Sequence, residues 1–121
     1  PSLFEPCGLP QMIAAIYGSL PVAHDTGGIH DTIRHLDVSQ NTGNGFLFEI
    51  YDAQGLFWAI RQAMAFFKLP VAKKRGLIRR IMTESKKNFN YDVSASQYIS
   101  LYEKMLQRPL VPRTILGEET K

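Results

Sequence analysis

The first residues of the sequence place a carboxylate, a thiol and a glycine within four positions, directly before an apolar stretch. The run is Glu5-Pro6-Cys7-Gly8-Leu9. The N-terminus of a helix attracts anions through its free N–H groups and dipole, and glycine lets a ligand approach the main chain closely. A carboxylate there can accept hydrogen bonds from hydroxyl groups. The run predicts a polar-ligand site, with phosphate among the candidates, but a capped helix with Glu5 as its charge partner explains it equally well.

The histidines raise the question of metal binding, because His24, His30 and His35 lie near Asp25 and Asp31 in the sequence. Their spacing matches no recognised metal-ligand motif. Histidines at helix ends or on surfaces are far commoner than ligands. No metal site is predicted.

Two further groups of residues are interpreted as non-catalytic. Cys7 has no basic neighbour in the sequence that would activate its thiol, so thiol catalysis is not favoured. The aromatic pairs are interpreted as hydrophobic core rather than as platforms for sugar rings. These pairs are Phe57 with Trp58, Phe66 with Phe67, and Tyr98 with Tyr102.

Composition excludes several classes of protein. Of 121 residues, 45% are hydrophobic and 21% are charged, as in ordinary globular domains. No apolar run approaches the roughly 20 residues of a membrane-spanning helix. The net charge is only +3, and the basic residues of 73–87 are predicted to form the solvated face of a helix, so neither nucleic acid nor a membrane is an expected partner. The one cysteine suits a reducing compartment.

The elements around the first run alternate between helix and strand. Residues 10–17 predict a helix that is apolar nearly all round and therefore buried against a sheet. Residues 20–24 predict a strand, and Thr26-Gly27-Gly28 predicts a turn that opens onto 29–33.

A polar, glycine-rich loop at 37–45 precedes a second predicted strand at 46–48. Three helices are expected after it, the first capped by Asp52 and ending near Lys68, and the second at 70–86. The third is expected to be capped by Asp92 or Ser94, and the residues beyond Pro109 are predicted to form a weakly ordered tail.

Strands that alternate with helices predict an α/β fold with parallel pairing, rich in helices towards its C-terminal end. Two short strands do not make an adequate sheet alone. Because the sequence also starts at Pro1 without an initiator Met or a leader, we expect it to be a fragment whose upstream part supplies the central strands.

The order and spacing of several motifs resemble the bacterial glycogen synthase and plant starch synthase family. The resemblance extends over about residues 1–106, and its contiguous Phe-Glu-Pro-Cys-Gly-Leu run is specific. The matching segments are 1–11, Tyr17-Gly18-Ser19-Leu20-Pro21-Val22, Thr26-Gly27-Gly28-Ile29-His30-Asp31-Thr32, Gly45-Phe46-Leu47-Phe48, and the spaced residues Phe89, Tyr91, Ser94, Ala95, Tyr98, Leu101 and Tyr102.

This resemblance implies a GT-B glycosyltransferase with two Rossmann-like domains and a cleft between them. Residues 1–108 would be the second half of the C-terminal, nucleotide-sugar-binding domain, and 109–121 a tail. The implied reaction transfers glucose from ADP-glucose or UDP-glucose to the non-reducing end of an α-1,4-glucan with retention, without a cofactor, in a bacterial cytoplasm or a plastid stroma. The fragment alone would be inactive without the missing N-terminal portion. A non-catalytic glucan- or nucleotide-binding scaffold derived from such an enzyme is the alternative.

The resemblance also implies roles for particular residues. Glu5 would lie at the donor glucose as the catalytic-site acid. The donor sugar and nucleotide would be bound by Cys7, Gly8, Leu9, Gln11, Thr26, Gly27 and Gly28. Pro10 has no N–H group to offer a phosphate. Related transferases carry a second glutamate where this sequence has Ile13, and its absence favours the synthases.

Overall fold

The computed structural model describes residues 1–110. In chain order the elements are helix α1, strand β1, helix α2, strand β2 and helices α3, α4 and α5. Their bounds are α1 Pro10–Ile16, β1 Val22–His24, α2 Gly27–Thr32, β2 Phe46–Phe48, α3 Ala53–Phe67, α4 Val71–Asn88 and α5 Tyr91–Leu106. The α/β class and the helix-rich C-terminal end are confirmed. None of the helices in this range could span a membrane.

Strands β1 and β2 pair in parallel, as the alternation of strands and helices predicted, with Val22 opposite Phe46 and His24 opposite Phe48. Helix α3 packs against both strands. Strand β1 begins two residues later than predicted. Pro21 has no N–H group, but its carbonyl oxygen accepts a hydrogen bond from Phe46 N–H at 2.8 Å.

The outer edge of β2 is closed by a side chain. Backbone hydrogen bonds turn the polar groups of Phe46 and Phe48 towards β1, so those of Leu47, between them, point away. The N–H of Leu47 donates a 3.1 Å hydrogen bond to Nδ1 of His35. The imidazole therefore occupies the hydrogen-bonding position of Leu47 at this edge of the sheet, where a further strand would have to pair.

The N-cap predicted for α3 is confirmed, and the one predicted for α5 is not. Asp52 caps α3 as predicted, since its Oδ1 accepts from Gly55 N–H at 2.6 Å. The predicted cap of α5 at Asp92 or Ser94 was wrong. Asn90 is the N-cap, and its Oδ1 accepts from Val93 N–H at 3.0 Å. An amide oxygen caps as well as a carboxylate, and Asn90 lies at the first position with extended backbone.

The core lies between the sheet and helices α3 and α4, and Ala59 and Ile81 are fully buried in it. Helix α1 was expected to be buried against a sheet because it is apolar nearly all round, but only part of its surface is covered. One face of α1 is covered, with Gln11 and Ala15 buried, whereas Ile13 is 51% exposed. An apolar pattern reports which residues tolerate burial, and only the neighbouring elements decide which face is covered.

The aromatic pairs also depart from the core interpretation. Phe66 packs against the core, but Phe57, Trp58 and Phe67 are exposed. In α5, Tyr98 and Tyr102 are exposed as well, with ring centroids 6.3 Å apart. Two of the rings have a neighbour outside α3: Lys74 of α4 places Nζ 4.6 Å from the Phe67 centroid, and Trp58 stacks on His35.

The predicted solvated basic face carries one structural arginine. Arg80 of α4 donates to the carbonyl oxygen of Gly43 at 2.6 Å and to Oδ1 of Asn41 at 2.9 Å, and it pairs with Glu84 at 2.6 Å. It thereby fastens the polar loop 37–45 to α4.

The chain divides into two compact units, with the boundary between Lys87 and Asn88. The first contains the sheet and the residues predicted to bind ligand. The second contains α5, which has no buried residue. The predicted tail lies mostly outside the described residues, and a single domain over 1–108 stays a prediction.

Candidate functional site

The loop before α1 lies directly against the glycine turn that follows β1. The N–H of Gly28 donates a 2.9 Å hydrogen bond to the main-chain oxygen of Glu5. A β-carbon on Gly27 would overlap that same oxygen, and one on Gly28 would overlap the main-chain oxygen of Cys7. The two segments that the sequence singled out are therefore in contact, and the turn requires glycine at two successive positions because the loop crosses so close to it.

The side chain of Gln11 holds this loop in place through hydrogen bonds. It is buried, and Nε2 donates to the carbonyl oxygen of Gly8 at 2.7 Å and that of Cys7 at 3.2 Å. It also lies 3.2 Å from Oγ1 of Thr32, which in turn donates to the carbonyl oxygen of Gly28 at 2.6 Å. One amide thus ties the loop to both α1 and α2.

The sequence did not predict this role for Gln11, and it did not single out Thr32. Gln11 was expected to offer its backbone N–H to a ligand, whereas its side chain is a structural support. A glutamine within an otherwise apolar helix turn was the available signal, since a buried amide must find partners.

Gly8 turns the loop into the helix. Its φ of +71° lies in the left-handed region that favours glycine, and a side chain there would also collide with Gln11. Leu9 is then the N-cap of α1 without a side-chain hydrogen bond, and Pro10 occupies the first turn. Gly8 itself is buried, and the exposed positions on either side of it are Cys7 and Leu9.

The side chains of the loop differ in their exposure to solvent. Glu5 is half-buried, and the Ser2 hydroxyl donates to its Oε2 at 3.5 Å. Cys7 and Leu9 are exposed. The thiol and the leucine side chain are therefore accessible, and the carboxylate partly so.

The three histidines do not come together. Among residues 1–110 no group of three or more His, Cys, Asp or Glu side chains could hold a metal ion. His30 pairs with Asp25, with Nδ1 and Oδ1 2.8 Å apart, and this hydrogen bond raises the pKa of His30 above its usual value. His35 accepts from the Leu47 amide, as described above.

His24 ends β1 in a buried position. Its Nε2 lies 3.3 Å from the carbonyl oxygen of Glu49, and its ring packs against those of Phe48 and Tyr51. Its Nδ1 is buried and has no hydrogen-bond partner within the described part of the chain. This orphaned nitrogen was not foreseen from the sequence.

Curated relatives match almost the whole chain, although no protein-family model does. A glycogen synthase of Bacillus cytotoxicus is 37% identical over 107 residues, which are 88% of this chain and 22% of that protein. A glycogen synthase of Geobacillus stearothermophilus is 38% identical over 108 residues, 89% of this chain and 21% of that protein. A probable starch synthase 4 of Arabidopsis thaliana is 39% identical over 111 residues, 89% of this chain and 10% of that protein.

A solved structure agrees with these relatives. The catalytic domain of starch synthase IV from Arabidopsis thaliana, bound to ADP and acarbose, superposes with a TM-score of 0.76 at 39% identity. The match covers 89% of this chain and 22% of that one, so the chain spans about a fifth of the solved domain. The small parallel sheet and its helices are thus part of a GT-B fold. The chain belongs to the glycogen and starch synthase family.

Proposed function

We propose that this chain is the donor-binding part of a retaining glucosyltransferase that extends an α-1,4-glucan from ADP-glucose or UDP-glucose. The observation that carries the proposal is the packing of loop 4–9 on the Thr26-Gly27-Gly28 turn, within a segment whose relatives are glycogen and starch synthases. The ADP in the solved relative supports it, because ADP is what remains when ADP-glucose has given up its sugar.

The loop suits a sugar diphosphate for a physical reason. Retaining transfer develops positive charge on the sugar and negative charge on the departing diphosphate, so the protein must orient the sugar and stabilise the phosphates. In this proposal the Glu5 carboxylate accepts hydrogen bonds from hydroxyls of the donor glucose. Cys7, Gly8, Leu9 and Gln11 offer main-chain groups to the sugar and the pyrophosphate.

The glycine turn has a supporting role in the proposal. Thr26 is the N-cap of α2, and Gly27 and Gly28, the first residues of that helix, lie directly against the loop. Because the turn and the loop share a hydrogen bond, donor affinity depends on both. Pro10 offers no N–H group, which leaves Gly8, Leu9 and Gln11 as the amide donors.

The segment does not perform the reaction by itself in this account. The chain spans 22% of the Bacillus cytotoxicus relative, and we propose that the rest of a longer protein supplies the acceptor-binding residues and the cations that bind the diphosphate. The partners are thus the nucleotide sugar, the α-1,4-glucan and that remaining portion. Bacterial cytoplasm or plastid stroma is the proposed location, since the relatives include bacterial and chloroplastic proteins.

The test is an assay of the full-length protein with glycogen and radiolabelled ADP-glucose or UDP-glucose. We expect label to enter the polymer from one of the two donors. No incorporation from either donor, in a protein that still binds ADP or glycogen, would instead favour a binding scaffold derived from a synthase.

A further inference from the structure

A second candidate site lies at the closed edge of the sheet, away from the loop 4–9. A cavity of about 790 Å³ opens there, beside β2 and the first turns of α3. None of the eight residues predicted to bind the donor lines it. We call it the edge pocket, and its principal lining residues are Asp25, His30, His35, Glu49, Gln54 and Trp58.

The indole ring of Trp58 gives this pocket a flat aromatic surface. Its indole is 47% exposed and stacks on the His35 ring, with centroids 5.1 Å apart and planes inclined by 29°. The His35 ring is itself fixed, because Nδ1 accepts from the Leu47 amide at 3.1 Å. The indole is thus supported on one side, and its exposed part faces a cavity without the need for rearrangement.

The charge of the lining selects the kind of ligand. It carries the carboxylates of Asp25, Asp31, Glu49 and Asp52, against the guanidinium of Arg34 and the His30 imidazole that pairs with Asp25. Such a surface repels phosphates and other anions. A neutral ligand with many hydroxyl groups fits, because carboxylates and the Gln54 amide can hydrogen-bond to hydroxyls while the indole covers an apolar ring face.

The ring of His35 takes up the hydrogen-bonding position of Leu47 beside the edge pocket, at the outer edge of β2 where a further strand would have to pair. Helix α2 connects the two sites. Its first residues, Gly27 and Gly28, contact loop 4–9, whereas His30 and Asp31 near its end line the pocket. Six helical residues rise only about 9 Å, so one polymer could approach both places.

We propose that the edge pocket binds a segment of α-glucan, with a glucose ring stacked on Trp58. The inference rests on the proposed function, which supplies the polymer. The site would hold a glucan chain near the loop 4–9 without taking part in the transfer, so it would matter for a large acceptor.

The test measures glucan binding in the absence of any nucleotide sugar. Affinity electrophoresis with glycogen in the gel compares the full-length protein with the variants Trp58→Ala and Phe57→Ala. Phe57 is the matched control, because it is the preceding exposed aromatic residue of α3 and does not line the pocket. We expect Trp58→Ala to weaken the apparent affinity for glycogen about fivefold, as the loss of one aromatic stacking contact implies, and Phe57→Ala to leave it unchanged.

Three results would overturn the inference: wild-type protein that glycogen does not retard, Trp58→Ala retarded as strongly as wild type, or an equal loss in Phe57→Ala. A thermal melt shows whether Trp58→Ala folds. If it does not, Gln54→Ala replaces it, because Gln54 is an exposed residue of the pocket lining. Retardation of Gln54→Ala equal to that of wild type would then overturn the inference. A wild-type protein that transfers no glucose but shows Trp58-dependent retardation would contradict the proposed function alone. Active protein without that dependence would contradict the edge pocket alone.

Discussion

The main-chain oxygen of Glu5 accepts a 2.9 Å hydrogen bond from the N–H of Gly28, which joins two segments that lie 23 positions apart in the sequence. This bond sets the distance between the acid-bearing loop and the glycine turn. Any change that separates them should damage stability and ligand binding together.

Gly28→Ala should separate them. The added β-carbon would overlap the Cys7 carbonyl oxygen, so the loop must move, and we expect the free energy of unfolding to fall by at least about 2 kcal/mol. Gly76→Ala in α4 is the matched control, because nothing lies within 4 Å of its new methyl group. Alanine favours a helix interior over glycine, so this control should be more stable by about 0.5–1 kcal/mol. Equal urea midpoints for both variants would contradict the packing described.

Gln11→Leu should loosen the same loop from the other side. Leucine fills a similar buried volume but leaves the carbonyl oxygens of Gly8 and Cys7 without their donor. This loss should lower the free energy of unfolding by about 1–3 kcal/mol. Gln97→Leu in α5 serves as control, since Gln97 is exposed. Denaturant titration of both variants gives the comparison, and a Gln11 variant as stable as the control would show that these hydrogen bonds add nothing.

Much of this arrangement could be predicted from sequence, because it depends on local chemistry. The Asp52 cap, the parallel strands and the position of the loop before α1 follow from residue types at particular positions. The contact of Gln11 with Thr32 and that of His35 with Leu47 could not, because they join residues that lie 21 and 12 positions apart. Tertiary neighbours also decide burial, which is why Ile13 is exposed despite its apolar surroundings in sequence.

The pair of His30 and Asp25 should make stability depend on pH. The hydrogen bond to Asp25, with the charge of Asp25 and more weakly that of Asp31, raises the pKa of His30 above 6.5. A raised folded-state pKa means that the pair stabilises the fold fully below pH 6.5, and that this contribution is lost as pH rises through the folded-state pKa.

An NMR titration of the His30 imidazole checks this direction. Asp25→Asn should return the pKa of His30 towards its ordinary value and remove that part of the pH dependence. An unchanged His30 titration in Asp25→Asn would mean that the pair does not form in solution.

The central claim is that Glu5 acts at the donor sugar, and the rate of glucose transfer by the full-length protein with Glu5→Gln measures this most directly. Glutamine keeps the shape but removes the negative charge, and Glu84→Gln, an exposed acid on α4, is the control. We predict that Glu5→Gln lowers the rate of incorporation from radiolabelled ADP-glucose or UDP-glucose about a hundredfold, while the control keeps the wild-type rate. Incorporation at the wild-type rate in a folded Glu5→Gln variant would contradict the account.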